Sequence, residues 1–246
     1  MGEYLFVWLV GLAAGAVSGV IGTGSSIMLL PVLVFTFGPK QAVPIMAIAA
    51  VMANISRMIA WWREVDWRAF AAYSLTGVPA AAIGARTLWI LPTHMVDIGL
   101  GIFFLAMIPV RHWLDAQRIR IRLWQLSAAG AMIGFLTGVV LSTGPLSVPA
   151  FTSYGLMKGA FLATEAASSL AIYASKVVTF HELGGLPITV MTQGIIVGVS
   201  LMLGTFVAKR IVQRMSVISF RYVLDVLLLG SGVSMLWTAL HQLLSG

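Results

Sequence analysis

The chain has 246 residues, of which 59% are hydrophobic and 9% charged. A soluble domain of this length needs about 25% charged residues to cover its surface, so a water-soluble globule is excluded and lipid is most of the solvent. The net charge of +7 sits at the ends of apolar runs, which points to cytoplasmic loops rather than nucleic acid, and the lack of cysteine excludes disulfides and thiolate chemistry.

Taken in chain order, the apolar runs span 4–21, 27–37, 41–62, 67–88, 95–110, 123–141, 146–154, 159–180, 186–208 and 217–240. They are continuous rather than alternating, which argues for helices and against a β-barrel. The first run is long enough to span, and Glu3 stands where a signal peptide would be basic, so no cleaved signal is expected. The second and seventh runs are too short to cross a hydrocarbon layer of about 30 Å. Each follows a break in a long run. The first break reads Gly22-Thr23-Gly24-Ser25-Ser26 and the second Ser142-Thr143-Gly144-Pro145.

The matching short pieces mark an internal repeat. Gly19 and Gly138 lie 119 residues apart, Gly24 and Gly144 120, Pro31 and Pro149 118, Lys40 and Lys158 118, and Gly84 and Gly204 120. The two halves are 1–115 and 116–246. Lys and Arg fix the orientation of the short loops. Arg111, Arg118, Arg120 and Arg122 place one loop inside, Lys209, Arg210, Arg214 and Arg221 a second, and Arg63 and Arg68 a third. The loops 181–187 and 86–94 are poor in basic residues and fall outside. The loop after the third run is then inside in the first half and outside in the second. The expected fold is an all-α membrane protein of two inverted repeats, about five helical segments each, with short broken or re-entrant helices. Both termini lie outside. Inverted repeats of this kind recur in secondary transporters, whose sites lie near the midplane at broken helices.

Backbone N–H groups freed inside a membrane must line a cavity or face protein. The short helix after each break begins at its positive dipole end, which favours an anion. Ser25, Ser26, Ser142 and Thr143 add hydroxyl donors. Gly11, Gly15 and Gly19 are spaced four apart and are expected to pack closely on a neighbour. In the eighth run Glu165, Ser169, Tyr173 and Lys176 share one helix face, as do Asn54 and Arg57 in the third. Arg57 and Lys176 are 119 residues apart and occupy the same repeat position. Two readings of these cations are open. They line an anion route, or they snorkel to the interface. Glu165 lies deeper and either carries a proton or pairs with a nearby cation. Asp97 and Asp225 stand near helix starts, where carboxylates offset the dipole. Trp61, Trp62, Trp67, Trp89, Trp113 and Trp124 sit at run ends as an interfacial belt. His94, His112, His181 and His241 fall at loops or ends without clustering, so no metal site is expected, and no cofactor or enzyme motif is found.

At its breaks the sequence resembles the sulfite exporter TauE/SafE family, over almost the whole chain. Family members open each repeat with a stretch of the form Gly-x-Gly-Gly-Gly followed by an apolar run with a proline. Gly22-Thr23-Gly24-Ser25-Ser26 with Pro31, and Ser142-Thr143-Gly144-Pro145 with Pro149, correspond to these. Arg63-Glu64-Val65-Asp66-Trp67-Arg68 is similar to the family's basic-x-x-x-Asp-Trp-basic loop. Ser25 and Ser26 replace glycines, and the second break lacks the glycine cluster. The resemblance implies secondary transport of sulfite or an organosulfonate across a bacterial inner membrane. The expected partners are a small anion and lipid. The expected binding residues are Gly22, Thr23, Gly24, Ser25, Ser26, Asn54, Arg57, Ser142, Thr143, Gly144, Ser169 and Lys176, with Glu165 as the candidate proton carrier. An anion channel, a permease for a different small anion and a non-transporting subunit of a membrane complex are the alternatives.

Overall fold

The computed structural model describes residues 2–21, 25–92, 120–140 and 144–212, with isolated positions between 95 and 113 and between 229 and 240. Most of the runs 95–110 and 217–240, and Gly22, Thr23, Gly24, Ser142 and Thr143, lie outside the described residues. Among the described residues the structure is helical throughout. In chain order the helices are α1 (Gly2–Ile21), α2 (Ser25–Phe37), α3 (Pro39–Trp61), a 3-10 turn (Trp62–Glu64), α4 (Trp67–Ile90), α5 (Leu123–Val140), α6 (Gly144–Tyr154), α7 (Lys158–Glu182) and α8 (Ile188–Val212).

Helix lengths follow the apolar runs. The 13 residues of α2 and 11 of α6 extend only about 20 and 16 Å at 1.5 Å per residue. The 23 to 25 residues of α3, α4, α7 and α8 reach about 35 Å or more. Ser25 and Ser26 belong to the first turn of α2 rather than to the break, and Gly144 opens α6. Glycines with positive φ let the chain turn sharply after both short helices, Gly38 at 77° after α2 and Gly155 at 111° after α6.

By length and apolarity alone, Gln41–Ile59 is the described helix that qualifies as a membrane span; Phe6–Ala16, Leu123–Val139 and Ile188–Gly204 are shorter apolar stretches. Of the other long helices, α4 carries Arg68 and Arg86, and α7 carries Glu165 and Lys176, which lowers their apolarity while their outer faces stay greasy. On α4 the exposed face shows Leu75, Ile83 and Ile90, and on α8 Ile188, Ile195, Val199 and Leu203. Meanwhile Asn54, Arg57, Thr164, Glu165, Ser168 and Lys176 are buried. Apolar outside and polar inside is the arrangement lipid selects, and water would oppose it.

Glycines set the closest helix contacts. Gly130 lies against Tyr73, Gly134 against Gly77, and Gly138 against Ala81 and Gly84. The regular advance along both chains shows α4 and α5 running in the same direction. Gly11 against Ser200, Gly15 against Leu201, and Gly204 against Leu12 and Ala16 join α1 and α8 in the same way. Gly194 against Ile48 and Gly198 against Met52 make α3 and α8 parallel. The Asp66 amide donates to Thr164 Oγ1 at 2.9 Å, and Ser175 Oγ donates to the Val78 carbonyl at 3.0 Å, so α4 and α7 are parallel too. At this distance a side chain larger than hydrogen would force the backbones apart. The expected packing of Gly11 and Gly15 is thus observed, with α8 as the partner.

The loop between α3 and α4 is held from both sides. Asp66 caps α4, accepting from the Arg68 and Ala69 amides at 3.0 Å, while Glu64 sets its carboxylate against Gly159 in the first turn of α7. Both carboxylates sit at positive helix ends. Of the predicted tryptophan belt, Trp61, Trp62, Trp67, Trp113 and Trp124 are exposed. Trp89 instead packs on Gly185 and on the Phe180 ring, 6.2 Å between centroids.

Candidate functional site

The largest buried polar cluster among the described residues lies where α3 and α7 cross and where α2 and α6 begin. From α3 come Asn54 and Arg57, three residues apart and therefore on one face. The Asn54 amide donates to the Ala50 carbonyl at 2.8 Å, leaving its Oδ1 to accept from Arg57 Nη2. From α7 come Glu165, Ser169 and Tyr173 at helical spacings of four.

The two helices meet in an ion pair. Arg57 Nη1 donates to Glu165 Oε2 at 3.0 Å, with side-chain exposures of 9% and 3%. At that burial a lone charge would be costly, so each partner holds the other in place. Ser169 Oγ donates to Glu165 Oε1 at 2.7 Å, and Ser147 Oγ, four positions into α6's sequence, donates to the same oxygen at 3.3 Å. Ser26, from the first turn of α2, is hydrogen-bonded with the Tyr173 phenol. Both short helices thus reach the same cluster with a serine. Tyr73 of α4 approaches it as well and stacks obliquely on Phe151 of α6, 4.7 Å between centroids.

Lys176 shares the α7 face but not the cluster. It is fully buried, with Nζ donating to the Thr137 carbonyl at 2.6 Å and lying 5.5 Å from the centre of the Phe180 ring. It therefore does not snorkel to an interface, and neither does Arg57, which is 8% exposed. The Thr137 carbonyl is in the last turn of α5, where carbonyls lack helical partners. Lys176 holds that end just ahead of the second break. No carboxylate meets Lys176 among the described residues.

The structure therefore gathers Ser26, Asn54, Arg57, Glu165 and Ser169 of the predicted site. It sets Ser25 buried beside them on α2 and Lys176 on a separate contact. Gly144 opens α6, and the remaining predicted positions fall outside the described residues. Two members were not foreseen, Ser147 and Tyr73. Ser147 sits in a run that reads as apolar, although its place two residues beyond Pro145 was a usable signal. Tyr73 carries no sequence signal.

The arrangement already holds one oxyanion, the Glu165 carboxylate, on a buried guanidinium and two hydroxyls. A guanidinium with its carboxylate, hydroxyl donors on both sides and two helix starts is equipped to hold a small anion. A family model described as Sulfite exporter TauE/SafE matches residues 7–235. No curated protein and no solved structure matches the chain.

Proposed function

Because the chain belongs to the sulfite exporter TauE/SafE family of membrane transporters, we propose that it is a secondary carrier binding one small sulfur-containing anion between its two helix breaks. Sulfite or an organosulfonate is the substrate. The observation that carries this reading is the convergence of Ser26 of α2 and Ser147 of α6 on the Tyr173–Glu165–Arg57 cluster. Each serine lies in the first four residues of its short helix, whose opening amides lack partners within the helix and are available to an anion. Asn54, Arg57, Ser169 and Lys176 line the route.

The helix directions support an inverted repeat of 1–115 and 116–246. The parallel pairs α1/α8 and α3/α8 put three helices in one direction, and α4/α5 and α4/α7 put three in one direction. Short links reverse the chain between α3 and α4 and between α7 and α8. Each helix of the first half then opposes its counterpart, α1 to α5, α3 to α7 and α4 to α8. The basic loops orient this array in a bacterial inner membrane, with both termini outside, and the short α2 and α6 act as the broken, re-entrant pieces.

The test is an uptake screen with the purified full chain in vesicles, offering sulfite, thiosulfate, sulfate, taurine, sulfoacetate and arylsulfonates. Saturable uptake of a sulfur anion at carrier rates is expected. Flux orders of magnitude faster would mean a channel, and no flux at all would mean a subunit of something larger.

A further inference from the structure

We infer that Glu165 is a built-in rival of the substrate: the incoming anion replaces it on Arg57, and the displaced carboxylate takes up a proton, so that anion and proton cross together. This rests on the proposed anion carrier and adds its coupling.

The geometry sets up the rivalry. One Glu165 oxygen is held by Arg57 at 3.0 Å, and the other accepts from Ser169 at 2.7 Å and Ser147 at 3.3 Å. Arg57 also meets Asn54. A sulfonate or sulfite offers the guanidinium the same kind of oxygen that Glu165 already gives it. Where the chain keeps its own carboxylate on the buried cation, a second oxyanion gains that cation by displacing the first.

The displaced acid has little else to rely on. Facing it are Arg57 from α3, Tyr73 from α4 and Tyr173 from α7 itself. Helix α2 and helix α5 contain no ionisable residue, and α6 has only Tyr154, at its last position. Arg63, Glu64, Asp66 and Arg68 lie at the loop end of α7, and Lys176 is engaged with Thr137. Away from Arg57, Glu165 keeps two hydroxyl donors in a site where it is 2% exposed. A carboxylic acid there can donate a hydrogen bond as well as accept one, which a carboxylate cannot.

The step balances. Arg57 cation with Glu165 anion, plus one monovalent anion and one proton, gives Arg57 cation with the bound anion, plus neutral Glu165. One O–H bond forms, and no net charge is added to the site. On release the proton leaves as Glu165 returns to Arg57. For a monovalent substrate the cycle carries no charge, so a proton gradient drives it and the membrane potential does not. The repeat makes the acid single: the position 119 residues before Glu165 is Met46.

The experiment uses the full chain in vesicles with methanesulfonate, which stays monovalent between pH 5 and 8, and with sulfite. With an outside-acid gradient of one pH unit at zero potential, methanesulfonate should accumulate about tenfold, and a trapped pH dye should report protons entering with it. At equal pH, a potassium diffusion potential should leave its distribution unchanged. Accumulation that follows the potential and ignores the pH gradient overturns the coupling and leaves the carrier reading standing. If neither anion moves, the carrier reading fails and the coupling with it. In weakly buffered detergent, methanesulfonate binding should take up about one proton per anion in the wild type and none in Glu165→Gln. The variant should also bind the anion more tightly, with no pH dependence. Proton uptake by Glu165→Gln equal to the wild type overturns the inference. If that variant does not fold, a wild-type count near zero overturns it and a count near one supports it.

Discussion

Replacing Arg57 with Met leaves Glu165 buried with two hydroxyl donors and no cation at 3.0 Å. Breaking a buried pair by removing one partner costs about 3–5 kcal/mol, because the remaining charge has lost its compensation. Replacing both partners with apolar residues of similar size is about neutral, or stabilising by about 1–4 kcal/mol. Against that, Ser147 and Ser169 lose their acceptor, and a buried unsatisfied hydroxyl costs about 1–3 kcal/mol. Both serines lie inside helices, where a hydroxyl can turn to a carbonyl three or four residues back, Gly144 for Ser147 and Glu165 for Ser169, so most of that loss is recovered. Arg57→Met with Glu165→Leu should therefore be at least about 2 kcal/mol more stable than Arg57→Met alone. Reversible unfolding in mixed micelles, followed by helical circular dichroism, measures all four members of the cycle. A double variant no more stable than Arg57→Met would refute the premise that the pair is buried and mutually dependent, and the coupling scheme would lose its starting state.

Three further outcomes follow from the same geometry. Gly84→Ala places a methyl against the Phe135 carbonyl and Gly138, so it should cost about 1–3 kcal/mol by overpacking, whereas Gly99→Ala, which meets open space, should lower the thermal midpoint little if at all; equal effects would discard the α4–α5 contact. Lys176→Met removes a buried charge that bonds only the Thr137 carbonyl and the Phe180 ring among the described residues, so the protein should unfold no more readily in the same assay, yet anion uptake should fall at least tenfold; unchanged uptake would make the lysine a helix cap alone. Tags at both termini should be labelled from the periplasmic side of intact cells, and a cytoplasmic N-terminal tag would sink the inverted arrangement.

What the sequence made legible was local. Helical spacing alone put Asn54 beside Arg57 and Ser169 beside Glu165, and both contacts exist. Spacing also put Lys176 on the face of Glu165, which is true in rotation and misleading in depth. Eleven residues carry a side chain about 16 Å along the axis, so Lys176 meets the end of α5 while Glu165 meets Arg57. The Arg57–Glu165 pair spans 108 positions and depends on how α3 crosses α7. No pattern within either helix encodes that crossing. Ser147 was hidden for a related reason: one hydroxyl in an apolar run is unremarkable until its helix is docked on α7. The hydropathy runs located the helices because the lipid-facing surfaces are continuous. They could not rank the short pieces, whose value lies in where their first turns point.

The repeat divides scaffold from chemistry. Positions that set backbone approach are duplicated: Gly11 with Gly130, Gly15 with Gly134, and Gly84 with Gly204. In the proposed inverted repeat both halves need equally close contacts, and glycine permits them. The acid and its two serines are not duplicated, although Arg57 has Lys176 at its repeat position. Glu165, Ser147 and Ser169 have Met46, Met28 and Ala50 as their counterparts, 119 residues earlier. A carboxylate at position 46 would stand eleven residues before Arg57, about 16 Å along α3, and could not share that guanidinium. The one acid at 165 faces the guanidinium of α3 directly. In the proposed cycle this pair ties α3 to α7 when no anion is bound and releases the tie when one arrives, so that the carrier moves only when loaded.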